Sequence, residues 1–359
     1  MNESSSNSPT RYLGDYVAGH DNNFKLLRFI AALLVLVTHS FALSTGQGNS
    51  EPLRSTLGIT LGSIAVDIFF VTSGFLVTGS LLHRQSLRGF LTARALRIVP
   101  ALWVSLVLTV LILGAAFTTL SAPAFFAESQ TWKFLARNGF LLRGLVWELP
   151  ATFLNNPAKG TINGSLWSLP AEVQMYLLLA AMWLSAGWLR IDKVKWVSRA
   201  CVALSALGVG LSLAFYRDGA QGNLVYLGAM FFSGAALQVL RERIVVSCLG
   251  VVAACIALVL AAILDRAMFG VLYRVLLPYL VLYLALVPAG KIRRFNVVGD
   301  YSYGLYIYAF PVQQALASLW HGIDPYAMMG TSFIITMVFA VSSWHVVEKR
   351  ALALKGQFS

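Results

Sequence analysis

Residues 28–39 read Arg28-Phe29-Ile30-Ala31-Ala32-Leu33-Leu34-Val35-Leu36-Val37-Thr38-His39. An uninterrupted apolar run separates a guanidinium from an imidazole, and the low-charge stretch extends over roughly 26–44. Crossing a hydrocarbon core takes about 20 mostly apolar residues in a helix, so this stretch is predicted to span a membrane. Nine more segments of the same kind follow, at roughly 57–80, 98–119, 167–189, 198–216, 222–240, 244–264, 267–287, 297–320 and 326–347. The expected fold is all-α: a polytopic integral membrane protein with about ten transmembrane helices.

Composition agrees. The 359 residues are 58% hydrophobic and only 12% charged, against about 25% charged for an ordinary soluble chain, and mean hydropathy is +0.72. A soluble enzyme, a disordered chain and a collagen-like chain are excluded. The net charge is +12, but the basic residues sit in short clusters between apolar runs. That pattern orients a membrane protein and speaks for membrane lipids as surroundings and against nucleic acid. With both termini cytoplasmic, most of the 27 Lys and Arg fall on the inside, and half of the remainder lie in the 121–165 connection. Cys201, Cys248 and Cys255 lie in apolar stretches with no CxxC spacing, which points to no metal and no thiol chemistry.

The chain divides into a polar N-terminal tail (1–22), read as short and mobile, one membrane domain (23–350) and a short cytoplasmic tail (351–359). The 121–165 connection is too long for a turn. Trp132-Lys133-Phe134-Leu135 and Phe140-Leu141-Leu142-Arg143 read as an amphipathic helix on the outer face, or else as a re-entrant piece lining a cavity.

Ionisable groups inside spans cost several kcal/mol unless paired or hydrated, so each is a candidate for function. Arg28 and His39 are eleven residues apart. Eleven steps of about 100° make about three turns, so both lie on one face, about 16 Å apart along the axis. A snorkelling arginine with a core histidine fits that spacing as well as a working pair does. Arg94 and Arg97 share a face at the mouth of the third span, ahead of Pro100. They could clamp a phosphate or simply anchor the helix. Glu172 sits where an acid complements a helix dipole, and could instead orient an imidazole across a cavity. Asp67 lies in an otherwise uncharged run and needs a partner such as an arginine. Ser302, Tyr303 and Tyr306 belong to an aromatic stripe that either packs or faces a substrate. Arg274, Asp300 and His345 call for no special role by position, and His20, His83 and His321 read as loop or interface residues.

Together these segments resemble the membrane-bound acyltransferase-3 family over about residues 23–355. Arg28 to His39 looks like its arginine–ten residues–histidine motif. Phe69-Phe70 through Ser73-Gly74-Phe75 is similar to its phenylalanine pair and serine-glycine-phenylalanine. Phe90, Arg94, Arg97 and Pro100 match its arginine–two residues–arginine motif. Trp167-Ser168-Leu169 through Glu172 and Ser343-Trp344 through Glu348-Lys349 resemble two further signatures. One departure stands out: Ala309 occupies a position where many members carry a histidine.

The resemblance implies transfer of an acyl group, usually acetyl, from cytoplasmic acetyl-CoA or another acyl-CoA to a sugar hydroxyl. The acceptor would be an envelope or exported polysaccharide or its lipid-linked precursor, and the setting the bacterial cytoplasmic membrane. It implies His39 as the essential imidazole, with Glu172 and Asp67 as supporting catalytic residues. Arg28, Arg94 and Arg97 would hold the donor, and Trp167, Ser302, Tyr303 and Tyr306 the substrate, without a metal. A transporter of a lipid-linked or small polar substrate is the alternative from another class. An inactive glycan-binding scaffold is a third.

Overall fold

The structure, a computed structural model, describes residues 10–17, 21–141, 144–214 and 224–357. His20, Leu142, Arg143, the ends of both expected tails and the tips of two expected spans (215–216 and 222–223) lie outside the described residues. Among the described residues the chain is helical, and the few β-type pairings are isolated bridges. The helices that matter are α1 (Phe24–Thr45), α2 (Leu61–Arg84), α3 (Leu87–Leu108), α4 (Ser129–Gly139), α5 (Leu169–Trp188) and α6 (Lys193–Ala214). They are followed by α7 (Leu224–Val239), α8 (Cys248–Leu264), α9 (Arg266–Leu286), α10 (Ser302–Leu319) and α11 (Pro325–Ser343).

Seven of these helical stretches are long and apolar enough to cross a membrane by length and composition; α3 continues to Phe117 and α11 to Gly356 in that reckoning. Two others, α7 and α8, are apolar but shorter. The outlier is α10. It carries Ser302, three tyrosines, Pro311, Gln313 and Gln314, yet every residue from Ser302 to Gln314 is buried. It is a core helix around which the others gather, not a lipid-facing one.

Burying so many polar groups requires partners. Gln313 Nε2 donates to Leu36 O (2.9 Å) and Ser40 Oγ (2.8 Å) on α1. Gln314 Nε2 donates to Ala158 O (2.8 Å) and Thr161 O (2.6 Å), which docks the 144–163 connection. Pro311 has no N–H, so the carbonyl four residues back loses its helical donor. That carbonyl, Ile307 O, accepts from Asn163 Nδ2 at 2.8 Å instead.

Helices α2 and α7 cross at two glycines. A Cβ added at Gly74 would stand 1.9 Å from Phe231 O, and one at Gly234 2.1 Å from Val71 O. Close approach through small residues is the usual way helices associate in lipid. Gly74→Ala and Gly234→Ala are therefore expected to cost at least about 1–3 kcal/mol through forced backbone shifts. Gly330→Ala, with nothing within 4 Å of its Cβ, leaves the fold intact. Thermal unfolding in detergent, followed by size exclusion, distinguishes them: equal melting of all three would refute the close crossing.

Two expectations need adjustment. Residues 10–17 are not a loose tail. Leu13 N donates to Ile244 O and Gly14 N to Arg241 O (both 2.9 Å), and Leu13 is buried. Backbone pairing with 241–246 and one buried leucine tie this polar stretch down. In the 121–165 connection, α4 buries Thr131, Phe134, Asn138 and Gly139 and exposes Trp132, a helical stripe over Trp132-Lys133-Phe134-Leu135 as expected, but the helix ends at Gly139, before Phe140 and Leu141. It lies against α3: Gly139 abuts Trp103, whose ring meets Phe140 edge-on at 5.2 Å.

Candidate active site

Two cavities meet at Tyr306, which lines both. The larger, about 380 Å³, is lined by Lys25, Arg28, Arg94, Arg97 and Lys355 against two carboxylates, Glu172 and Asp300. The smaller, about 210 Å³, is lined by His39, Glu51, Arg54 and Trp167 among others. The helical register of α1 explains the division. Arg28 and His39 lie on one face three turns apart, so one faces each cavity. Between them, Tyr306 OH donates to Ser165 O (2.5 Å) and pairs with Ser168 Oγ (2.8 Å). Trp167 faces the smaller cavity and Ser168 the larger.

The two arginines of α3 share the larger cavity but differ in their partners. Arg97 Nη2 is 2.7 Å from Asp300 Oδ2 and Nη1 is 3.4 Å from Glu348 Oε2. Asp300 Oδ2 also lies 3.5 Å from Arg28 Nη1, and its Oδ1 accepts from Ser302 Oγ at 2.5 Å. Glu348 Oε1 accepts from Ser343 Oγ at 3.0 Å. The guanidinium of Arg97 lies over the Tyr303 ring, 5.7 Å from its centroid, and Tyr303 OH donates to Ile98 O at 3.0 Å. This network joins α1, α3, the start of α10 and the end of α11. Asp300, which sequence position alone left without a role, is its hub. Arg94 has no carboxylate partner among the described residues; its guanidinium lies 5.9 Å from the Tyr176 ring centroid. Arg94 is thus the less committed cation.

Glu172 does not orient His39. Its Oε1 accepts from Tyr176 OH, one turn along α5, and from Ser73 Oγ at 3.2 Å. The acid at the start of α5 is occupied by its own helix and by the serine of α2, on the larger cavity. His39 stands apart: its Nδ1 is buried without a hydrogen-bond partner, and its ring meets Phe310 edge-on at 5.0 Å. Asp67 lines neither cavity. Its Oδ2 accepts from Tyr226 OH and Tyr273 OH, both at 2.7 Å, and Arg274 lies over the Tyr226 ring at 5.1 Å. It braces α2 against α7 and α9, with an arginine close by as its burial demanded. Arg274, which position alone left without a special role, is buried in this cluster. His345 is exposed beside Tyr301. Sequence reasoning did not single out Lys25, Lys355, Glu51 or Arg54; their only signal was charge in connections or at helix ends.

A membrane helical bundle with an arginine-lined cavity backing onto a histidine-bearing one has the parts of a membrane-embedded transferase. The chain matches the acyltransferase domain family, Acyl_transf_3, over residues 21–345 and belongs to it. It is an integral membrane enzyme that transfers acyl groups. It is 31% identical to an O-acetyl transferase of Shigella phage Sf6, over 92% of this chain and 96% of that one. It is 27% identical to nodulation protein 10 of Rhizobium leguminosarum bv. viciae, over 95% of this chain and 96% of that one. It is also 27% identical to the peptidoglycan O-acetyltransferase OatA of Listeria monocytogenes, over 84% of this chain but only 50% of that relative's length. No solved structure matches the chain.

Proposed function

We propose that the protein is an O-acyltransferase moving an acyl group, most simply acetyl, from cytoplasmic acyl-CoA to a sugar hydroxyl. The acceptor is an envelope or exported polysaccharide or its lipid-linked precursor, and the membrane is the bacterial cytoplasmic one. The observation that carries this reading is the pair of cavities that share Tyr306 as a wall, one rich in cations and one holding His39. Coenzyme A is anionic, so its phosphates suit the larger cavity, with Arg94 as the principal guanidinium and Arg28, Lys25 and Lys355 nearby. The thioester then points toward Tyr306. His39, reached from the smaller cavity, takes the proton of the attacking sugar hydroxyl as the new ester C–O bond forms and the C–S bond breaks. The coenzyme A thiolate leaves into the cation-rich cavity. The same imidazole could instead hold the acyl group covalently and pass it on.

Ten crossings with both ends cytoplasmic fit this assignment. Each of the ten apolar segments contains a helix, and α10, enclosed by the bundle, needs no lipid-facing hydropathy. Contacts also gather segments assigned to one side. Residues 11–14 pair with 241–246, Asn23 Nδ2 donates to Leu284 O and Pro288 O, and Lys25 Nζ to Asn296 O. The test is purified protein in detergent with acetyl-labelled acetyl-CoA and an oligosaccharide acceptor. Free thiol release and label in the glycan are expected together. A folded protein that consumes no thioester with any acceptor would refute the proposal.

A further inference from the structure

We infer that the smaller cavity is built for an uncharged sugar, read by Glu51 with its charge balanced by Arg54. This rests on the proposal above, that the acceptor enters there.

Among the described residues, the ionised side chains lining this cavity are Glu51 and Arg54, with His39 neutral as a base must be. Arg54 Nε and Nη2 both donate to the same oxygen, Glu51 Oε2, at 2.8 and 2.6 Å. Glu51 Oε1 accepts no hydrogen bond among the described residues. The Glu51 side chain is 11% exposed and that of Arg54 40%, so the carboxylate is set into the wall and the cation stands outside it.

The hydroxyl groups of the wall are committed. Thr60 Oγ1 pairs with Ser63 Oγ at 2.9 Å and accepts from Ser63 N at 3.0 Å. Thr38 Oγ1 donates to Leu34 O (2.9 Å) and accepts from Gly62 N (2.7 Å). Two acceptors remain uncommitted, one carboxylate oxygen and the His39 imidazole, and hydroxyl groups are their matching donors; Arg54 Nη1 and the Trp167 indole N–H, which donate no hydrogen bond among the described residues, match the oxygens of the same hydroxyls. Trp167 adds an aromatic surface. A carboxylate or phosphate on the acceptor would face Glu51 Oε1, with Arg54 already paired to that carboxylate through Nε and Nη2, and like charges brought together in a confined site cost several kcal/mol. The larger cavity, with its excess of cations, has the opposite bias. One molecule thus sorts an anionic donor from a neutral acceptor.

The experiment uses the purified full chain, acetyl-CoA and two matched oligosaccharides that differ only in a terminal hexose against the corresponding uronic acid. The wild type is expected to prefer the hexose in kcat/KM by at least about tenfold, one decade being about 1.4 kcal/mol. Glu51→Gln keeps the shape, uncovers Arg54 and shifts that ratio about tenfold toward the uronate, with the KM for acetyl-CoA unmoved. Arg54→Gln, leaving an unbalanced carboxylate, shifts it the other way. A wild-type preference for the uronate overturns the inference. So do variants that slow both acceptors equally, or thioester loss to water with neither acceptor used. Absence of any thioester loss is a different failure, that of the acyltransfer proposal itself.

Discussion

Replacing His39 by Ala or Gln is expected to abolish acyl transfer, lowering kcat by about 10²–10⁴-fold while leaving the folded protein in the membrane. The position supports so large an effect. His39 is the histidine that lines a cavity; His83, His321 and His345 line none of those described. Ala309, buried two residues before Pro311, offers no second imidazole. The Nδ1 of His39 is buried without a partner, so the imidazole is not tied to the scaffold and its loss breaks no hydrogen bond that holds the bundle. Gln fills similar space and hydrogen-bonds, but it does not accept a proton near neutral pH. Activity retained in Gln but lost in Ala would make the residue a spacer. Near-normal turnover in either variant would sink the assignment. Acid quenching followed by mass analysis separates the two routes: an acetyl group on the His39 peptide marks the covalent one.

Much of this site was legible along the chain because α1 is a single regular helix. Eleven residues make three turns, and that arithmetic places Arg28 and His39 on one stripe without tertiary information. The spacing of three between Arg94 and Arg97 likewise put both on one cavity. What sequence could not supply was which groups close on one another from distant segments. Arg97 is held by Asp300 and Glu348, about 200 and 250 positions away, so Asp300 looked idle. Glu172 looked like a partner for an imidazole; its actual partners are Tyr176, one turn on, and Ser73 on another helix. The third case is α10. Its tyrosines, proline and glutamines dilute its hydropathy, and only the bonds from Asn163, and from Gln313 and Gln314, show why a polar helix sits at the centre. Hydropathy measures what faces lipid, and α10 does not.

The second large effect separates the two arginines of α3. Arg94→Lys is expected to raise the KM for acetyl-CoA about tenfold with little change in thermal stability. Arg97→Gln is expected to lower stability and kcat together. The reasoning follows from their partners. Arg94 has no carboxylate to balance it among the described residues, so its planar fork is available for phosphate oxygens, and lysine reproduces only the point charge. Arg97 sits between two carboxylates, with side chains 13% exposed for the arginine and 11% and 2% for Asp300 and Glu348. Removing one member of such a buried cluster leaves uncompensated charge and typically costs about 3–5 kcal/mol. Because its fork reaches Asp300 through one nitrogen and Glu348 through another, a single ammonium cannot span both. Arg97→Lys should therefore also melt earlier than Arg94→Lys. A direct measurement is donor binding in detergent at low and high salt beside the melting curves. Screening weakens a phosphate contact, so Arg94→Lys should flatten the salt dependence as well as weaken binding. Wild-type affinity and salt slope in Arg94→Lys would reduce that residue to a membrane anchor. Unchanged melting of Arg97→Gln would mean that the network around Asp300 does not hold the bundle together.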